Sequence, residues 1–172
     1  MPRLSRTPES SGRTPPRAWR IALLFLFAMQ PLGALAQQSR IDTLLAAPEP
    51  PSGVVFDIIE GSGAALAPAL DRVSTWAKAL RTRFPALPMA IVSHGSEQFA
   101  LMSENRDAFR GAHERVLALG SEDDIPVHVC AVHASWRERV PEDFPDYVDV
   151  ADSGPAQIGR YQELDWEVVQ VD

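Results

Sequence analysis

The chain has a single cysteine, Cys130, in 172 residues. One thiol excludes any intramolecular disulfide and any framework of paired cysteines. Cys130 is therefore either a small apolar core residue or a group kept for chemistry. Long apolar runs are missing as well: a membrane-spanning helix needs roughly 20 apolar residues, and the run from Ile21 to Met29 stops at nine. Positive charge is scarce, with 16 Lys+Arg against 23 Asp+Glu. Phosphate-binding signatures are incomplete. Gly61-Ser62-Gly63 has the beginning of one, but the third glycine, the lysine of a P-loop and a ribose-binding acid are absent, so neither a nucleotide nor another cofactor is expected. No Ser-His-Asp order and no paired-carboxylate spacing is legible, and there is no internal repeat or low-complexity tract.

What is present begins with a leader. Residues 1–36 read as a cleavable signal peptide: a basic start (Arg3, Arg6, Arg13, Arg17, Arg20), the Ile21–Met29 run, the breakers Gln30, Pro31 and Gly33, then Ala34-Leu35-Ala36 as a small-x-small cleavage site before Gln37. No paired arginines precede the run, which fits the general secretory route. The expected location is the periplasm or the exterior, with cleavage after Ala36. Removal of those 36 residues leaves 136, the size of one domain. It also removes five Arg and one Glu, leaving 11 basic and 22 acidic groups and a formal charge of −11. Such a surface repels phosphate backbones and anionic lipid, so nucleic acid and, after cleavage, membrane are not expected partners.

Residues 37–52 read as a flexible arm followed by a Pro-rich linker, Pro48-Glu49-Pro50-Pro51-Ser52-Gly53. From residue 53 the pattern is regular. Val54–Ile59 and Met89–Ser93 are short apolar runs suited to strands buried on both faces, and Ile125–Val132, Tyr147–Val150 and Trp166–Val171 continue the series. Between them, helical spacing predicts helices over Ala67–Phe84, with Pro68 in the first turn, over Arg106–Leu119, around Trp136, and over Ser153–Glu163. Alternating strands and helices with short links imply a parallel sheet with right-handed crossovers. Five strands predict a flavodoxin-like three-layer α/β sandwich with a five-stranded parallel sheet.

In such sheets ligands bind beyond the carboxyl ends of the strands. Here those ends carry Glu60-Gly61-Ser62-Gly63, His94-Gly95-Ser96, Cys130 with His133, and Asp152-Ser153-Gly154. At a helix amino terminus Cys130 would be stabilised as a thiolate by free N–H groups. His94 and His133 are candidate helpers. His128, Cys130 and His133 also invite a metal reading, since 128 and 130 share a strand face, but H-x-C-x-x-H is no established ligand spacing and no metal is expected. His113 reads as packing, Glu122-Asp123-Asp124 as a solvated loop, and Asp57, inside an apolar strand, as a residue that needs a hydrogen-bond partner.

Val54–Ile59, the His94-Gly95 strand ending, Val127-His128-Val129-Cys130-Ala131 and the closing Ser153-Gly154-Pro155-Ala156-Gln157-Ile158 helix resemble the DsrE/DsrF-like family over roughly residues 53–172. The resemblance implies a flavodoxin-like domain that assembles as trimers or hexamers. It also implies that Cys130, on the position of the family's sulfur-accepting cysteine, takes a persulfide sulfur from a donor protein and passes it on. The sequence departs from the family in its export signal and in Tyr161-Gln162-Glu163-Leu164-Asp165-Trp166, where Leu-Gln-x-x-Gly is usual. Two readings follow: an exported sulfur carrier acting through Cys130, or a non-catalytic oligomeric binding or assembly module of the periplasm.

Overall fold

The computed structural model describes residues 40–171; the segment expected from sequence to be a signal peptide, with its expected cleavage site, falls outside the described residues. Five strands, β1 (Val54–Ile58), β2 (Met89–Ser93), β3 (Val127–Cys130), β4 (Asp149–Ala151) and β5 (Glu167–Val171), form one sheet in the order β4-β3-β2-β1-β5. Every neighbouring pair is parallel. Helices α2 (Gly63–Arg83), α3 (Arg110–Ser121), α4 (Ala131–Ser135) and α5 (Gly154–Gln162) provide the crossovers, with two 3-10 turns, Ser96–Leu101 and Ser103–Asn105, leading into α3. This is the flavodoxin-like three-layer α/β arrangement that the alternation predicts.

The strand order decides which face each helix covers. From β1 to β4 the chain steps in one direction, and right-handed crossovers place α2 and α3 on one face; the return from β4 to β5 spans the sheet the other way and places α5 on the opposite face. The core is correspondingly uneven. Val54, Phe56 and Ile58 of β1, Ile91 of β2 and Val129 of β3 pack under Leu66, Leu70, Val73 and Leu80 of α2 and Val116 of α3. On the other face Val55 and Val92 meet Ile158 of α5, with Tyr161, Trp166 and Val168 around them.

Several element boundaries differ from the sequence reading. The arm is helical over 40–46 (α1), where Ile41 and Leu44, one turn apart, are buried in the main core. Helix α2 begins at Gly63, so Pro68 lies in its second turn and not its first; the helix-forming Ala64 and Ala65 extend it backward while the carbonyl of Ala64 forgoes its helical donor. Strand β3 is shorter than Ile125–Val132: Ile125 donates its N–H back to Leu119, and the chain enters α4 directly after Cys130. Trp136 caps the end of α4 and is not at its centre. Helix α3 starts at Arg110 because the preceding stretch winds into 3-10 turns. Strand β4 starts two residues late, after a turn in which Val148 donates to Pro145. Among the described residues no helix is long and apolar enough to cross a membrane.

Candidate functional site

Strands β1 to β4 end around one cleft of about 580 Å³. Ile59 and Glu60 reach it after β1, His94 after β2, Cys130, His133 and Trp136 after β3, and Pro155 after β4. The site is the one that parallel-sheet topology anticipates.

Buried side chains hold the strand ends in place. Glu97, fully buried, accepts hydrogen bonds from Ser93 Oγ (2.8 Å) and the Gly95 N–H (2.9 Å) through Oε1, and from the Glu60 N–H (2.7 Å) through Oε2. Its own N–H donates to the Glu60 carbonyl at 3.3 Å. One carboxylate thus ties the end of β1 to the end of β2. Gly95 has to be glycine here, because a Cβ would lie 2.2 Å from Glu97 Oε2 and 2.6 Å from the Glu60 carbonyl oxygen. Gln98, also fully buried, accepts the Cys130 N–H through Oε1 at 2.7 Å and so fixes the end of β3 to the same loop.

Cys130 caps α4. Its Sγ accepts the N–H of His133 at 3.4 Å, and its residue surface is only 4% exposed. His133 turns back over β2, where its Nδ1–H donates to the His94 carbonyl at 2.9 Å. Its ring meets Phe99 edge-on at 5.2 Å, and Trp136 lies beside it at the same centroid distance. His94 pairs with Asp57 of β1 through Nε2 and Oδ1 at 2.7 Å, both side chains being about six-sevenths buried (14% and 15% exposed). The backbone of Gly154 packs on the Cβ–Cγ–Cδ2 edge of that ring, so closely that a Cβ there would stand 2.5 Å from the His94 Cβ.

The three residues proposed from sequence, Cys130, His94 and His133, therefore share one cleft. Asp57 finds the partner its strand position demands, and that partner is His94. His128 lies elsewhere on the sheet: Nε2 pairs with the Tyr161 hydroxyl at 2.8 Å beneath α5, and Nδ1 is 3.7 Å from Asp149. Among the described residues no three His, Cys, Asp or Glu side chains stand close enough to hold a metal ion. His113 is a buried packing residue whose Nε2–H donates to the Ala100 carbonyl (2.9 Å) while Nδ1 accepts from the Tyr147 hydroxyl (2.6 Å). Glu97 and Gln98 went unread in the sequence. The one available signal was an acid and an amide placed directly before an apolar Phe99-Ala100-Leu101 run, where nothing solvates them.

No family model matches the chain, and no curated protein does. Among solved structures it is similar to MTH1491, a protein of unknown function from Methanobacterium thermoautotrophicum. That match has a TM-score of 0.53 at 18% identity and covers 68% of this chain and 96% of the other. At that identity the likeness establishes the shared fold.

Proposed function

We propose that this protein is an exported, DsrE-like sulfur carrier in which Cys130 accepts a sulfane sulfur. The observation that carries this reading is the position of the chain's only thiol, at the strand-end cleft with its sulfur bonded to a backbone N–H and two imidazoles lining the same space. The resemblance of the Val127–Ala131 segment to the family's sulfur-accepting strand adds to it. In the proposed step the Cys130 thiolate attacks the outer sulfur of a donor persulfide, R–S–SH. A new S–S bond forms at Cys130 as the donor's S–S bond breaks, and the donor leaves as R–SH, taking up the proton Cys130 gave up. No net oxidation occurs. His94 and His133 are the acceptors available to hold that proton in transit.

Intact-mass analysis of purified protein treated with an organic persulfide tests this. The expected result is a gain of one sulfur atom in the wild type and none in Cys130→Ser. If the folded wild type gains nothing and also resists a thiol-alkylating reagent, Cys130 is a core residue and the carrier reading fails. A second reading, a binding or assembly module that works as a trimer or hexamer, is favoured by the 4% exposure of Cys130 and by exposed Val132, Trp136 and Leu164. It expects an oligomer of unchanged size in Cys130→Ser, measured by light scattering.

A further inference from the structure

The hydrogen-bond partners of the two cleft histidines fix what each can offer a ligand. An ionised carboxylate only accepts, so the nitrogen of His94 facing Asp57, Nε2, carries the hydrogen. A backbone carbonyl only accepts, so Nδ1 of His133 carries its hydrogen. In the neutral rings the remaining nitrogens, Nδ1 of His94 and Nε2 of His133, are then both acceptors. Neither has a partner among the described residues, and neither is among their sealed, unpartnered polar atoms. The other ionisable lining side chains are Cys130 and Glu60, whose carboxylate accepts from Arg72 Nη2 at 3.4 Å, and no Lys or Arg is among the lining residues. Apart from the Ser96 and Ser153 hydroxyls, whose oxygens already accept from Arg137 and the Ala156 N–H, and the backbone of Gly61 and Gly95, the wall is apolar: Ile59 is 44% exposed, Val132 46% and Trp136 74%.

From this arrangement we infer that the cleft binds an uncharged organic molecule with an apolar, ring-sized body and a hydrogen-bond-donor head. An inorganic anion such as thiosulfate, or a carboxylate-bearing thiol, finds no Lys or Arg in the wall, the nearby Arg137 guanidinium being engaged by Ser96 Oγ (3.1 Å) and the Phe99 ring, and it meets the lone pairs of His94, His133 and Glu60. A volume of about 580 Å³ is also far more than a bare sulfur oxyanion fills. An apolar body covers Trp136 and Val132, and an S–H, O–H or N–H head meets the imidazole acceptors. In naming the sulfur partner this rests on the carrier reading, and makes R–S–SH a neutral alkyl or aryl persulfide. The ligand class itself rests on the cleft alone.

Three probes of equal body separate the possibilities: naphthol (donor head), methoxynaphthalene (the same body without a donor) and naphthoate (an anion). Binding is followed by NMR through the amide resonances of Gly95, Ser96 and Ser153 in the purified Cys130→Ser protein, so that sulfur chemistry plays no part. Naphthol is expected to bind about tenfold more tightly than methoxynaphthalene, the worth of one well-made hydrogen bond, and naphthoate least. Trp136→Ala, at a side chain exposed enough not to disturb the fold, is expected to weaken naphthol about tenfold. Naphthoate binding as well as naphthol, equal affinities for naphthol and methoxynaphthalene, or shifts that follow protein concentration with no probe effect, as when a second copy covers the cleft, each overturn the inference. Naphthol binding as expected while Cys130 in the wild type takes up no sulfur leaves the ligand class standing and removes only the carrier reading.

Discussion

Glu97 replaces a missing stretch of backbone pairing with one carboxylate. Its two oxygens take three donors from the ends of β1 and β2 in a position without solvent. A carboxamide of the same shape can satisfy only part of that set, because its NH2 must face one of those donors. Glu97→Gln is therefore expected to lower the unfolding free energy by about 1–3 kcal/mol, read from the urea midpoint; an unchanged midpoint would mean the donors find other partners. At this scale the sequence was legible where chemistry-bearing residues are rare. Cys130, His94 and His133 stand out as the only thiol and as strand-end imidazoles, and Asp57 stands out as a charge in an apolar strand. Glu97 and Gln98 were not legible, because a side chain that closes a loop onto a distant backbone N–H leaves no periodic trace in its neighbours.

Helix α5 covers its face of the sheet with few apolar side chains, and it does so over His128. Tyr161 bonds to His128 and stacks on Trp166 at 4.5 Å, so polar contacts sit beside an otherwise apolar patch. Burial holds His128 below its ordinary value of 6.5, with the Asp149 carboxylate opposing the shift. His113, under α3, is lowered in the same way, chiefly by burial, with its bond to Ala100 working against it. The sign follows from linkage. Both residues bind protons more readily in the unfolded chain, so the stability tied to their neutral forms is complete above about pH 6.5 and is lost as pH falls below that, down through their folded-state values. Urea midpoints measured between about pH 8 and 5 are expected to drop with a slope approaching about 1.4 kcal/mol per pH unit for each histidine, and His128→Asn is expected to flatten the profile. Strands and long helices were legible at this scale because buried apolar runs and a 3.6-residue stripe are strong signals. Their ends were less so. Competing turn bonds, such as those from Ile125 to Leu119 and from Val148 to Pro145, decided where β3 and β4 begin.

For the molecule as a whole, the folded unit reaches back at least to residue 40. The arm before the prolines carries too few apolar residues to announce itself, yet Ile41 (1% exposed) and Leu44 (6%) are core residues, and Arg40 pairs with Glu167 of β5. Ile41→Ala is expected to destabilise the protein by about 2–4 kcal/mol in chemical denaturation, as for other buried aliphatic truncations; a surface arm would show no change. The layered α/β class was readable from the alternation of elements. The order of strands was not, since alternation alone does not say that β5 crosses back to lie beside β1.

That crossing has a consequence for the timing of folding. β1 pairs on one side with β2, whose partner residues the ribosome makes 35 positions later, and on the other side with β5, which it makes after every other strand. Until β5 emerges, the first strand keeps one bare edge and the small cluster beneath α5 lacks Val168. A nascent chain built this way stays open through most of its synthesis and closes late. Under the export proposed above, late closure would keep the chain threadable through a narrow channel, and mutations that hasten pairing among β1 to β4 would then impair delivery while leaving the finished molecule intact.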